Sequence, residues 1–96
     1  MLLRNETDEQ VKVCIYRTAA VWDVFPCEGG VVFLEPFESQ LWQPAPGESA
    51  PEFDVRFFHP ELFDRLLGRE SDVPRGRGVR LYRQLKVYKT DVTNSG

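Results

Sequence analysis

Few residues in this chain could do bond-making chemistry, and they are scattered. There is one histidine, His59, directly before Pro60, and there are two cysteines, Cys14 and Cys27. A thiol nucleophile needs a base within hydrogen-bond reach, and a serine nucleophile would need the same histidine plus a strained turn to present its hydroxyl. None of Ser39, Ser49, Ser71 and Ser95 lies in a Gly-x-Ser-x-Gly turn, and His59 occupies a position where a turn residue is expected. No catalytic residue is therefore assigned. The chain reads as a non-enzyme, with a small enzyme using His59 as the remotest alternative. One His and two separated Cys cannot complete a conventional zinc site, and a copper site in a small sandwich wants two histidines. The Asp-x-Asp-x-Asp-Gly calcium loop is absent. No cofactor or metal is expected.

Recognition chemistry is better represented. Pro74-Arg75-Gly76-Arg77-Gly78 leads into Arg80, Tyr82, Lys86 and Tyr88. The glycines precede a strand and not a helix, so this is no phosphate cradle. Cations interleaved with aromatics do suit an anionic ligand or single-stranded nucleic acid, with Arg75, Arg77, Arg80, Tyr82 and Lys86 as the binding residues. The acidic balance of the whole chain, net charge −3 and pI near 5.1, ranks that reading second. The charge is uneven along the chain, with acidic residues concentrated before residue 64 and basic ones after it. Neutralisation across neighbouring strands is the expected use of that asymmetry.

Aromatic residues are plentiful: seven Phe, two Trp and three Tyr. Alternation leaves Tyr16, Phe58, Tyr82 and Tyr88 off the inward faces. Trp42, on a short edge strand beside the Pro44–Pro51 loop, is the preferred anchor, with Phe58 and Tyr16 as further partner-binding residues. The leading expectation is a non-catalytic module that binds a protein partner or self-associates through an aromatic edge-strand surface.

The elements that must position these residues are strands. Val11–Arg17 alternates with Val11, Val13 and Ile15 inward. Val21–Phe25, Val31–Leu34, Gln40–Gln43 and Glu52–Phe58 follow, and Phe53, Val55 and Phe57 form the inward set of the last. His59–Gly68 carries the only helix signal, with Pro60 suited to its first position and Gly68 to its cap. Residues 1–9 and 91–96 read as loose tails of a single domain spanning 1–96. The fold class expected is all-β, a small antiparallel sandwich or partly open barrel with one short helix. Phe33-Leu34-Glu35-Pro36-Phe37-Glu38-Ser39 before Leu41 and Trp42 has the strand, proline turn, strand rhythm of many immunoglobulin-like sandwiches.

Gly78–Thr90 is the longest strand-like run, with Val79, Leu81, Leu85 and Val87 on the inward parity. About twelve residues at roughly 3.3 Å each approach 40 Å, beyond the roughly 30 Å diameter of a compact chain this size. Arg83 also falls on the inward parity, so the strand is expected to bulge, cross or end near Arg83 and Gln84. No apolar run approaches the roughly 20 residues of a membrane span, and Met1–Asn5 is too brief for a signal peptide. A soluble, cytoplasmic protein with free thiols is expected, and the sequon Asn5-Glu6-Thr7 reads as accidental.

Overall fold

Alternation dictates which strands can share a core, and the computed structural model follows it. It describes residues 1–17, 30–61 and 65–94. These form eight strands: β1 Leu2–Glu6, β2 Val11–Tyr16, β3 Val31–Leu34, β4 Ser39–Leu41, β5 Glu52–Phe58, β6 Leu66–Pro74, β7 Gly78–Gln84 and β8 Val87–Thr93. They make two packed four-stranded sheets, ordered β4-β1-β7-β8 and β3-β2-β5-β6. All pairs are antiparallel except β1 and β7, which run parallel with Leu3 opposite Val79 and Glu6 opposite Tyr82. The central parallel pair departs from the wholly antiparallel sandwich expected. The strand order likewise differs from the immunoglobulin division of ABED over CFG.

Odd-numbered strands all run one way and even-numbered strands the other. The β1–β2, β3–β4, β5–β6 and β7–β8 connections therefore gather at one end, called here the turn end. There the Phe37 N–H donates to the Thr7 carbonyl (3.1 Å) and the Tyr88 hydroxyl to Glu9 (3.0 Å). The opposite end, where β4 leads to β5 and β6 to β7, is called the loop end. There Trp42 N–H donates to the Met1 carbonyl (2.8 Å) and Arg75 N–H to the Pro51 carbonyl (2.9 Å).

The core is the inward parity of both sheets. Leu3, Val79 and Leu81 from one meet Val11, Val13, Ile15, Leu34, Val55, Phe57 and Val73 from the other, all with no exposed surface, and Phe53 is nearly as buried. β6 and β8 close one side. Thr90 Oγ1 donates to Glu70 Oε2 (2.6 Å), and Gly68 permits the approach, because a Cβ there would meet Thr90 Cγ2 at 2.5 Å. β2 and β5 are buried on both faces: Lys12, Asp54 and Arg56 are no more than 5% exposed, and Cys14, Tyr16 and Phe58 form a second apolar cluster.

Several expectations are corrected. The proposed helix does not form over its C-terminal part: Leu66, Leu67 and Gly68 belong to β6, with Leu66 opposite Phe58 and Gly68 opposite Phe57. A two-turn helix is marginal alone, and strand pairing with β5 satisfies the same backbone groups. Residues 62–64 lie outside the described residues, as does the expected strand Val21–Phe25. The residues expected as tails are largely strand where they are described. β1 is a central strand with Leu3 fully buried, and Asp91–Thr93 pair with Gly78–Arg80. The long C-terminal strand does break beside Gln84, but as a hairpin: Leu85 and Lys86 form the turn between β7 and β8. Leu85 and Val87, expected inward, are 93% and 58% exposed, because the reversal carries them beyond the core. Cys14 is disulfide-bonded and not a free thiol. The chain's other cysteine, Cys27, lies outside the described residues.

Candidate interaction site

The turn end is organised by a polar residue on an apolar parity. Met1, Leu3, Asn5 and Thr7 all point inward from β1, and Asn5 is 1% exposed. Its Nδ2 donates to the carbonyls of Glu9 (2.7 Å), Leu34 (3.3 Å) and Glu35 (3.0 Å). Its Oδ1 accepts from Thr7 N–H (3.1 Å) and Thr7 Oγ1 (2.6 Å). One amide, its own buried polar atoms all partnered, thus fastens the β1–β2 turn to the β3–β4 turn. The sequon is consumed as structure.

Two turns at this end carry bulky apolar residues in left-handed backbone. In Glu35-Pro36-Phe37-Glu38 the Glu38 N–H donates to the Glu35 carbonyl (3.0 Å), with proline second and Phe37 third at φ 58°. That third position is one a type II turn ordinarily gives to glycine or asparagine. In the β7–β8 hairpin Leu85 has φ 61° at the first position of a two-residue turn, another site where glycine is usual. A side chain in this region of backbone space costs about 1–2 kcal/mol. Neither residue recovers that by burial, since Phe37 is 70% and Leu85 93% exposed. Together with Glu6, Thr7, Asp8 and Arg83 they line an open concavity of about 380 Å³.

Charges around this concavity are arranged in pairs. Arg80 donates to Asp91 Oδ2 (2.8 Å) and Glu6 Oε1 (3.1 Å), and the hydrogen bond to Asp91, reinforced by Glu6, holds its guanidinium charged beyond the ordinary arginine range. Arg83 stands 3.7 Å from Asp8 and 3.6 Å from Glu9 and lies over the Tyr88 ring, 5.1 Å from its centroid. Burial, and then the hydrogen bond to Glu9, raise the Tyr88 pKa. The acidic front of the chain and its basic back therefore neutralise one another across neighbouring strands, as the charge asymmetry suggested.

The residues singled out from sequence are distributed differently. Trp42 is half-buried, its ring edge-to-face with Phe53 at 5.1 Å, so it plugs the loop end of the core instead of standing out as an anchor. Tyr16 and Phe58 do come together, with Cys14, but at 1% and 6% exposure they form an interior cluster. Arg75 and Arg77 sit at the loop end. Arg75 donates to the carbonyls of Ala50 (2.8 Å) and Glu48, and Arg77 to Asn94. Arg80 lies over Tyr82 at 4.2 Å but is committed to its two carboxylates. Lys86 is in the turn at the opposite end of β7, so the five residues assigned to an anion do not converge.

His59 Nδ1 accepts from Glu61 N–H (3.2 Å), the geometry of a turn residue. Among the described residues no three His, Cys, Asp or Glu gather as a metal site, and no helix is long and apolar enough to cross a membrane. The sequence assigns no binding role to Phe37, Leu85, Thr7, Asp8 or Arg83. The available signal was a bulky residue at a turn position suited to glycine. No family model, curated protein or solved structure matches the chain.

Proposed function

We propose that this chain is a non-catalytic interaction module that binds a protein partner through its turn end. The observation that carries the reading is the pair Phe37 and Leu85: two large apolar side chains held in strained backbone, exposed, and lining one concavity. Strain that persists without a folded-state return marks a place shaped for recognition, and exposed apolar surface around a concavity is the usual form of a docking site. Self-association by edge pairing has less support, because β4, the free edge nearest Trp42, is only three residues long. The anionic-ligand alternative has less support still, since Arg75, Arg77 and Arg80 are engaged within the chain. The disulfide at Cys14 favours an oxidising setting over the cytoplasm expected from sequence.

The test uses the double variant Phe37→Gly, Leu85→Gly, which suits both turns and leaves the core untouched. Proteins retained by immobilised wild type and by the variant are compared, with near-ultraviolet circular dichroism as the control for fold. A species retained by wild type and lost with a folded variant supports the proposal. Identical retention by both, or none by either, overturns it.

A further inference from the structure

We infer that the partner seated at the turn end presents a basic side chain, lysine or arginine, between apolar residues. The inference rests on the interaction reading above and supplies its chemistry. Of the residues lining the concavity, Phe37 and Leu85 offer apolar walls, and Glu6 and Asp8 offer carboxylates. Arg83 is the one cation in that lining, and it already faces Asp8 and Glu9 at 3.7 and 3.6 Å. Glu6 gives Oε1 to Arg80, while its Oε2 accepts no hydrogen bond among the described residues. The Asp8 side chain is 73% exposed, and its contact with Arg83 is an ion pair of 3.7 Å, longer than a hydrogen bond.

Charge complementarity then selects among occupants. An acidic segment would bring like charge against Glu6 and Asp8. A purely apolar segment would strip water from Glu6 Oε2 and from Asp8, whose ion pair with Arg83 is long at 3.7 Å, and would offer neither a new donor. A lysine or arginine resolves both demands: its aliphatic stem lies along the apolar walls while its head reaches the carboxylates.

Three capped peptides serve as probes, acetyl-Leu-Arg-Leu-amide and its counterparts with Gln or Glu at the centre. Each is titrated into ¹⁵N-labelled full chain while amide shifts are followed. The arginine peptide is expected to move Thr7, Asp8, Phe37 and Leu85. It should bind at least about fivefold more tightly than the glutamine peptide and weaken about threefold or more between 50 and 300 mM salt. Asp8→Asn should bring the arginine peptide to the level of the glutamine peptide with the spectrum otherwise unchanged. Equal binding of the arginine and glutamine peptides at these amides overturns the basic-partner inference while the interaction reading stands. Preference for the glutamate peptide, shifts confined to other residues, or no shifts with any peptide overturn it as well. The interaction reading is decided separately by the retention experiment with the glycine double variant.

Discussion

The two ends of the sandwich solve the same problem, closing a core where strands reverse, by different means. At the loop end the long connection between β4 and β5 is laid across the core and strapped down. Trp42 covers Phe53, and Arg75 reaches over to hold the carbonyls of Glu48 and Ala50 while its guanidinium lies 5.6 Å from the Phe53 ring centroid. The Trp42 and Phe53 rings at that end are turned onto each other. At the turn end, among the described residues, backbone carbonyls converge on Asn5, and the large side chains of Phe37 and Leu85 are turned outward. An end sealed by hydrogen bonds frees its side chains for a partner, whereas an end sealed by packing uses them up. That difference is why Trp42, the most conspicuous aromatic in the sequence, is a structural residue while an unremarkable leucine in a hairpin stands in solvent.

The contrast can be broken most severely at Asn5. Asn5→Ala would remove five hydrogen bonds and release the β1–β2 turn from the β3–β4 turn. A loss of about 3 kcal/mol in urea unfolding is expected. A loss below about 1 kcal/mol would show that the turn end is held by something else. Arg75→Ala should act at the loop end alone, lowering stability by about 1 kcal/mol or less and speeding amide exchange over residues 48–51, with turn-end amides unchanged. Acceleration at both ends would mean that the ends are not independent.

Leu85→Gly has the opposite sign: relief of left-handed strain should raise stability by about 1 kcal/mol, read as a higher denaturation midpoint with an unchanged slope. A drop in midpoint would mean that Leu85 contributes to the fold and that its exposure is not a sign of recognition.

The smallest effect concerns pH. Tyr88 has a raised pKa in the folded state, chiefly through burial, so the folded chain favours the protonated phenol. The associated stability is complete below the ordinary tyrosine value of 10.0 and is lost as pH rises through the folded-state value. Tyr88→Phe should flatten that alkaline decline. An identical alkaline profile in the variant would remove Tyr88 as its source.

The fold class was legible because period-2 alternation is a strong signal where one face is apolar. Val11, Val13, Ile15, Phe53, Val55 and Phe57 all lie on the core side as their parity required. β1 was obscured because its inward set mixes Leu3 with Asn5 and Thr7, so a central strand looked like a polar turn. The helix signal at 59–68 was genuine amphipathicity over a short length, and its C-terminal residues Leu66–Gly68 pair with β5 instead. The break beside Gln84 was readable from length and from Arg83, but its nature as a hairpin was not, since Leu85-Lys86 lacks the glycine that marks such turns. The candidate site was illegible for the same reason. Its two apolar residues are apart in sequence, and each sits where residue preference says it should not, so propensity argued against the feature that distinguishes them.

The three bonds given by Asn5 Nδ2 place this fold in competition with a covalent modification. Asn5-Glu6-Thr7 is an acceptor tripeptide for N-linked sugar, and the nitrogen that would carry the sugar is the one closing the turn end. Transfer acts on extended chain, before β3 and β4 have been made to receive that amide. In a eukaryotic secretory host the two fates exclude each other: a chain sugared at Asn5 cannot complete its turn end, and a chain that has folded no longer offers the nitrogen. The yield of native protein in such a host would be set by which event comes first.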